Sequence, residues 1–120
     1  MKLVLIAGMG SFIGGALRYL ISLMMSSKSE GFPVGTLAVN IFGCFVIGIV
    51  LGFADKEAIS QDWKIFLTTG ILGGFTTFSA FSYETVALLR EGDFWNALAY
   101  VAASVVGGLI VTYLGVSLVR

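Results

Sequence analysis

One stretch in the middle of the chain decides the fold, and it reads Gly70-Ile71-Leu72-Gly73-Gly74-Phe75-Thr76-Thr77-Phe78-Ser79-Ala80-Phe81-Ser82-Tyr83-Glu84-Thr85. It lies inside an apolar segment that runs from about residue 62 to residue 91. As one unbroken helix, roughly 30 residues would extend ~45 Å, whereas the hydrocarbon core of a bilayer is ~30 Å thick. Paired glycines and a run of Thr and Ser weaken a helix here, because hydroxyls compete for its backbone hydrogen bonds. We therefore predict a helix interrupted near Thr76, close to the bilayer midplane.

An interruption inside a membrane has a chemical consequence. The helical bonds that it removes leave N–H and C=O groups that lipid cannot satisfy, so these groups must face protein, water or an ion. The broken segment is therefore a predicted functional site.

The composition is that of a membrane protein. Of 120 residues, 58% are hydrophobic and only 12% are charged, and the mean hydropathy is +0.99. In soluble domains about a quarter of the residues are charged. We predict an all-α membrane protein with a single domain, residues 1–120. The formal net charge of zero gives no indication of nucleic-acid binding. The chain has no histidine and offers no nucleophile–base arrangement, so we predict that it is not an enzyme.

Four apolar segments predict four membrane-spanning helices, at about residues 2–26, 34–53, 62–91 and 94–118. The first begins with a lysine, as a secretory signal does, but it is too long and lacks a convincing cleavage site. We therefore predict that it is retained, and an even number of spans puts both termini on one side. Gly10 and Gly14, like Gly48 and Gly52, have the spacing of small residues that permits close approach of helices.

Polar residues mark the ends of these segments. Asp62 is expected to cap the third helix, and Gly92 to end it. Asp93 is expected to cap the fourth helix. Trp63 and Trp95 each follow a helix start, where an amphipathic indole is placed at the membrane interface.

The basic residues are almost evenly divided between the two predicted sides. With both termini inside, the cytoplasmic side would hold Lys2, Lys56, Lys64 and Arg120. The other side would hold Lys28 and Arg90, together with Arg18 if it reaches that surface. Most membrane proteins show a clear excess of Lys and Arg inside. Two interpretations stay open: the remaining bias fixes one orientation, or two copies insert in opposite directions and form an antiparallel dimer.

Two polar side chains inside predicted spans each allow two interpretations. Arg18 lies late in the first helix, where its guanidinium either extends to the interface or gives a water-filled vestibule a positive potential. Asn40 lies near the middle of the second helix. Its amide either hydrogen-bonds a neighbouring helix or donates to an anion that has lost its water.

Phe78 and Phe81 lie three residues apart after the predicted break, so both rings lie on one helix face. In most membrane helices such a pair packs against lipid or a neighbour. Here the rings alternate with Thr and Ser hydroxyls, which is unusual. The edge of an aromatic ring carries partial positive charge and attracts an anion weakly, and a conduction path needs weak binding.

These residues also resemble a known family. The stretch from Gly73 to Glu84 resembles the central motif of the Fluc (CrcB) family of fluoride channels. Residues 35–40, Gly-Thr-Leu-Ala-Val-Asn, resemble the start of that family's second helix, and residues 14–19, Gly-Gly-Ala-Leu-Arg-Tyr, its first. The resemblance covers essentially the whole chain. It implies four transmembrane helices with a break in the third, an antiparallel (dual-topology) homodimer in the plasma (inner) membrane, and passive, selective export of fluoride through two pores.

The resemblance also implies roles for individual residues. The fluoride pore would be lined by Phe78, Phe81, Asn40, Ser104, Tyr100, Thr77 and Ser79. Arg18 would lie near the vestibule, and Glu84 along a polar track. The backbone carbonyls of Gly73 and Thr76 would hold a structural Na⁺ at the dimer centre. Gly108 departs from the family pattern, because some relatives carry a hydroxyl residue there.

Two other classes of function stay open from the residues themselves. A small dual-topology, proton-coupled exporter of toxic cations needs a carboxylate inside the membrane. Glu84 is the candidate, although it lies late in the third segment. A non-transporting assembly subunit of a membrane complex would explain the glycines, but not why Asn40, Arg18 and a broken helix occur together.

Overall fold

The structure, a computed structural model, describes residues 1–25 and 32–120. Its elements are α1 (Lys2–Met25), α2 (Val34–Asp55), α3 (Gln61–Ile65), a π-helical segment (Phe66–Leu72), α4 (Gly73–Phe75), α5 (Phe78–Arg90) and α6 (Phe94–Val119). Within these two ranges every regular element is helical. The connection predicted between the first two helices lies outside the described residues, as does Lys28.

Four parts of the described chain are long and apolar enough to cross a membrane: Lys2–Met25, Val34–Asp55, Gln61–Arg90 and Phe94–Val119. The prediction of four spans is therefore confirmed. The segment Gln61–Arg90, hereafter the third span, comprises α3, the π-helical segment, α4 and α5.

The helix ends confirm two predicted signals and correct one. Gly92 ends the third span with a φ of +77°, a conformation that glycine adopts without strain. Asp93 caps α6, because its carboxylate accepts the Asn96 N–H at 3.3 Å. The prediction that Asp62 caps the third span was wrong. Ser60 is the cap, with its hydroxyl oxygen accepting the Trp63 N–H at 3.3 Å.

The third span is broken at Thr76 and Thr77, as predicted. Thr76 has φ −86° and ψ 155°, and Thr77 has φ −149° and ψ 116°, so both residues are extended between α4 and α5. The seven-residue π-helical segment that leads to the break was not predicted. Such segments are rare and cluster at functional sites.

Glycine brings α1 into backbone contact with the third span. A Cβ atom on Gly14 would lie 1.9 Å from the carbonyl oxygen of Ile71, and one on Gly10 would lie 2.7 Å from the Cα of Gly70. The predicted small-residue pattern in the first helix therefore forms this contact. Gly48 has the same role between α2 and α6, where an added Cβ would lie 2.3 Å from the backbone carbonyl oxygen of Thr112.

The contacts of the Lys2 and Lys56 side chains place both termini at one end of the molecule. Lys2 Nζ lies 2.8 Å from the Asp62 carboxylate, and Lys56 Nζ donates to the carbonyl of Val119. The two chain ends and the connection between α2 and α3 therefore lie together, which confirms that the termini share one side.

Replacing Gly14 with alanine is expected to destabilise the protein, because the added methyl group would overlap the Ile71 carbonyl. Overpacking of this kind typically costs about 1–3 kcal/mol. Gly8→Ala is the matched control, since a Cβ on Gly8 would meet no atom within 4 Å. Thermal unfolding in detergent should show a lower Tm for Gly14→Ala alone. Equal melting of the two variants would contradict the backbone contact.

Candidate functional site

The side chain of Asn40 makes two hydrogen bonds to the backbone of one residue at the break, Thr77. Its Oδ1 accepts the Thr77 N–H at 2.9 Å, and its Nδ2 donates to the Thr77 carbonyl at 3.1 Å. A carboxamide supplies a donor and an acceptor together. Its oxygen therefore replaces the helical acceptor that the Thr77 N–H loses at the break, and its N–H adds a bond to the Thr77 carbonyl. The hydrogen-bonding interpretation of Asn40 is thereby confirmed. The amide retains a second N–H for another acceptor.

Threonine hydroxyls complete the two helix ends at the break. The Thr77 hydroxyl oxygen accepts the Ala80 N–H at 3.1 Å and so caps α5. The Thr76 hydroxyl donates to the Leu72 carbonyl at 2.9 Å. Ser79 Oγ lies 3.2 Å from Thr77 Oγ1, so two of the predicted pore hydroxyls lie side by side.

Two carbonyls at the break lose their helical donors. In an unbroken helix the Gly73 and Thr76 carbonyls would accept from the N–H groups of Thr77 and Ala80. Both N–H groups donate to side-chain oxygens instead. Carbonyl oxygens are ligands suited to a hard cation, and Gly73 is exposed. The donor set at these two positions therefore fits a Na⁺ ion chemically.

Arg18 has a contact that neither interpretation of the sequence anticipated. Its Nε donates to the Gly74 carbonyl at 3.2 Å, next to the break. Ser11, on the same helix, donates its hydroxyl to the Gly70 carbonyl at 3.3 Å. The first helix thus supplies polar partners to the third span, and the remaining guanidinium nitrogens of Arg18 keep their positive charge near the break.

A cleft of about 340 Å³ adjoins the break. It brings together five predicted pore residues, Asn40, Thr77, Phe78, Phe81 and Ser104. The residues that sequence reasoning missed on its wall include Thr68, Leu72 and Cys44. The position of Cys44 at the cleft depends on contacts between helices, which the pattern of a single helix does not contain.

The aromatic rings form a continuous row from the cleft into the protein. The centroids of Phe78 and Phe81 are 5.6 Å apart, and those of Phe81 and Tyr100 are 5.1 Å apart. Both pairs are tilted, at 46° and 48°. Phe78 is 78% exposed, whereas Tyr100 is completely buried. The predicted pore residue Tyr100 therefore lies behind Phe81 rather than on the cleft wall.

Three buried polar atoms make no hydrogen bond of normal geometry among the described residues, namely Glu84 Oε1, Tyr100 Oη and Ser104 Oγ, although the Tyr100 hydroxyl lies close enough to the Glu84 and Thr36 side chains to interact with them. All three belong to residues that the sequence predicted for the ion path. Buried polar atoms are normally paired, so each exception requires an explanation. A second cleft of about 230 Å³ lies at Glu84, with Ser22 and Thr36 on its wall. The unpaired atoms therefore lie along the part of the molecule that carries both clefts.

The departure at Gly108 has a structural counterpart. Gly108 is buried, and a Cβ there would lie 3.4 Å from Cys44 Sγ. The nearby Thr112 hydroxyl lies 2.8 Å from the Gly108 carbonyl and 3.1 Å from that of Cys44. The thiol of Cys44 thus occupies the space next to the missing side chain.

Comparison with known proteins identifies the family. The model for "CrcB-like protein, Camphor Resistance (CrcB)" matches residues 5–116. The chain is 47% identical over 120 residues to the fluoride-specific ion channel FluC of Methylobacillus flagellatus, covering 98% of this chain and 94% of the relative. It is 42% identical over 118 residues to the FluC protein of Prosthecochloris aestuarii, covering 98% and 92%. With its four apolar spans, this chain is a multi-pass membrane protein and belongs to the CrcB family.

Proposed function

We propose that this protein is a passive, fluoride-selective ion channel that exports fluoride from the cytoplasm. The observation that carries the proposal is the set of buried polar atoms on Glu84, Tyr100 and Ser104, which make no hydrogen bond of normal geometry within predominantly apolar spans. Buried groups without partners cost free energy, so their presence argues for a polar species that visits them. The relatives are named fluoride-specific ion channels, which supports fluoride as the proposed species.

The chemistry of fluoride suits the cleft. The ion is small and strongly hydrated, so a pore must offer donors in place of water. The free N–H of Asn40 and the hydroxyls of Thr77, Ser79 and Ser104 are such donors. The edges of Phe78 and Phe81 add weak attraction, which lets the ion leave again.

A second copy of the chain supplies the rest of each pore. The cleft of one chain is open, and Phe78 is 78% exposed although it follows a polar break. A surface brought against this side would enclose the path. We propose that the second copy is identical and inserted in the opposite direction, giving a dual-topology homodimer with two pores. The small charge bias between the two sides supports this arrangement.

Na⁺ is the proposed structural ion at the centre of the dimer. The Gly73 and Thr76 carbonyls have lost their helical donors, and two chains would contribute four such oxygens around one axis. When bound, the ion supplies a fixed positive charge that holds the two breaks together. Arg18, which donates to the adjacent Gly74 carbonyl, keeps the backbone in position. We place the protein in the plasma (inner) membrane, where export lowers cytoplasmic fluoride.

Liposomes loaded with fluoride and containing the purified protein are expected to release it rapidly, with chloride retained. An ion-selective electrode follows the release. Because the proposed channel is passive, release should proceed without a proton gradient. Release that requires a proton gradient would contradict a passive channel. No fluoride release under either condition would contradict the proposed function and would favour the cation exporter, with the partly buried Glu84 carboxylate as its proton carrier.

Phe78→Ile and Phe81→Ile are each expected to slow fluoride release by about tenfold, which corresponds to ~1.4 kcal/mol at the barrier. Isoleucine keeps an apolar side chain but removes the polarised ring edge. Phe12→Ile is the matched control, because Phe12 is 79% exposed and lies on α1, away from the cleft. Unchanged release in both Phe78→Ile and Phe81→Ile would contradict the proposed role of the rings.

Asn40→Ala is expected to weaken the break, because the Thr77 N–H loses its acceptor and the Thr77 carbonyl loses one of its donors. An unpaired buried group costs about 1–3 kcal/mol, so the Thr77 amide should exchange its hydrogen roughly 10- to 100-fold faster. Hydrogen–deuterium exchange measures this directly. The control, Asn96→Ala, removes an amide that binds only Asp93 at the exposed start of α6. Protection of Thr77 that survives in Asn40→Ala would show that other groups hold the break.

Purification with N-methylglucamine in place of Na⁺ tests the central ion. We expect the dimer to dissociate more readily and to melt at a lower temperature, since binding to the folded state stabilises it by mass action. Size-exclusion chromatography and thermal unfolding measure both effects, and returning Na⁺ should reverse them. A dimer that is indifferent to Na⁺ would contradict the site at Gly73 and Thr76 without affecting the proposed pore.

A further inference from the structure

An exposed ion pair lies at the end of the molecule where the termini meet. Lys2 Nζ is 2.8 Å from Asp62 Oδ2, and the two side chains are 75% and 43% exposed. An exposed pair of this kind contributes little to stability, because water solvates both charges well. Each group also keeps hydrogen-bonding capacity beyond this contact, because an ammonium has three N–H donors and a carboxylate has about four acceptor sites. Their place at the starts of α1 and α3 is that of the membrane interface.

An apolar cleft of about 220 Å³ begins beside this pair and runs between α1 and the third span. Its wall is formed by Ile6 and Met9 of α1, and by Trp63 and Phe66. Asp62 lies on its rim. We call it the α1–α3 cleft. It is an open surface groove whose wall is apolar apart from Asp62, so it suits an apolar occupant.

The aromatic side chains of Trp63 and Phe66 pack against each other along one wall of the α1–α3 cleft. Trp63 and Phe66 stack edge to face, with centroids 5.7 Å apart and planes at 86°. Trp63 is also 58% exposed, so one side of the indole is free to contact a ligand. An indole at this depth meets both acyl chains and headgroups.

We propose that the α1–α3 cleft binds one phospholipid with a primary-ammonium headgroup, phosphatidylethanolamine. An acyl chain fills the apolar cleft between Met9 and Trp63. The lipid phosphate binds the Lys2 ammonium, and the lipid ammonium donates to the Asp62 carboxylate.

The paired charges distinguish this headgroup from the alternatives. Phosphatidylcholine also carries both charges, but its quaternary ammonium has no N–H to donate to Asp62. Phosphatidylglycerol offers a phosphate to Lys2 and no cation for Asp62. A site for anionic lipids would instead show several basic residues without an acidic partner. The inference does not depend on which ion the protein conducts.

The two tryptophans of the chain provide the test. Trp95→Phe leaves Trp63 as the sole fluorophore, and Trp63→Phe leaves Trp95, which lies next to Phe94 at the other end of the molecule. Each full-length variant is reconstituted into phosphatidylcholine vesicles with a fixed fraction of one lipid that has brominated acyl chains. This lipid is phosphatidylethanolamine, phosphatidylcholine or phosphatidylglycerol. Bromine quenches an indole that it touches.

We expect brominated phosphatidylethanolamine to quench Trp63 about two- to fivefold more effectively than brominated phosphatidylcholine. This factor is the binding preference that the free energy of one exposed ion pair provides. Trp95 should be quenched equally by both lipids. Adding Asp62→Asn to the Trp95→Phe variant should remove the preference, and Lys2→Gln is an independent second route to the same loss.

Four results would overturn the proposal. One is equal quenching of Trp63 by all three lipids, and another is a preference that persists in Asp62→Asn and in Lys2→Gln. Stronger quenching by the choline or the glycerol lipid would also refute it. If the partner subunit covers the α1–α3 cleft, Trp63 will escape quenching by every lipid, and this outcome counts equally against a lipid site.

Discussion

Hydrocarbon offers no hydrogen-bond partner, and this constraint governs how the third span can be broken. The chain meets it with side chains from its own neighbouring helices. Asn40 restores a donor and an acceptor at Thr77, Thr77 caps the helix that follows, and Arg18 donates to Gly74. The break is thus a structured feature rather than a flexible one. The carbonyls of Gly73 and Thr76 have no such side-chain partner within residues 1–25 and 32–120, and this difference makes them candidates for ion ligation.

The glycine contacts are the geometric condition for these bonds. Ser11 reaches a backbone carbonyl of the third span only because Gly10 and Gly14 let α1 approach without intervening side chains. The same approach brings Arg18 to Gly74. In a membrane, where helices gain no hydrophobic stabilisation from association, this close packing and its hydrogen bonds hold the spans together.

The main features of the fold could be predicted from local sequence. The glycines and threonines of residues 73–77 indicated the break, and the spacing of Phe78 and Phe81 placed their rings on one face. What could not be predicted depends on contacts between segments distant in the chain. The two bonds of Asn40 to Thr77, the Arg18 contact and the position of Cys44 at the cleft are of this kind. The π-helical segment also escaped, because its sequence has ordinary helical spacing, and Ser60 was overlooked as a cap because Asp62 has similar chemistry.

The glycine-mediated contact between α1 and the third span has a further consequence. Close contact between the two backbones opposes separation of the helices, but it does not oppose a shift of one helix along its axis. Ser11 and Arg18 donate to carbonyls one turn apart, Gly70 and Gly74, and so set the axial register of the two helices. An arrangement shifted by one turn would leave the Arg18 and Ser11 side chains without these acceptors. In hydrocarbon, each unpaired polar group costs roughly several kcal/mol of free energy. The polar side chains of the first helix thus select one alignment during assembly.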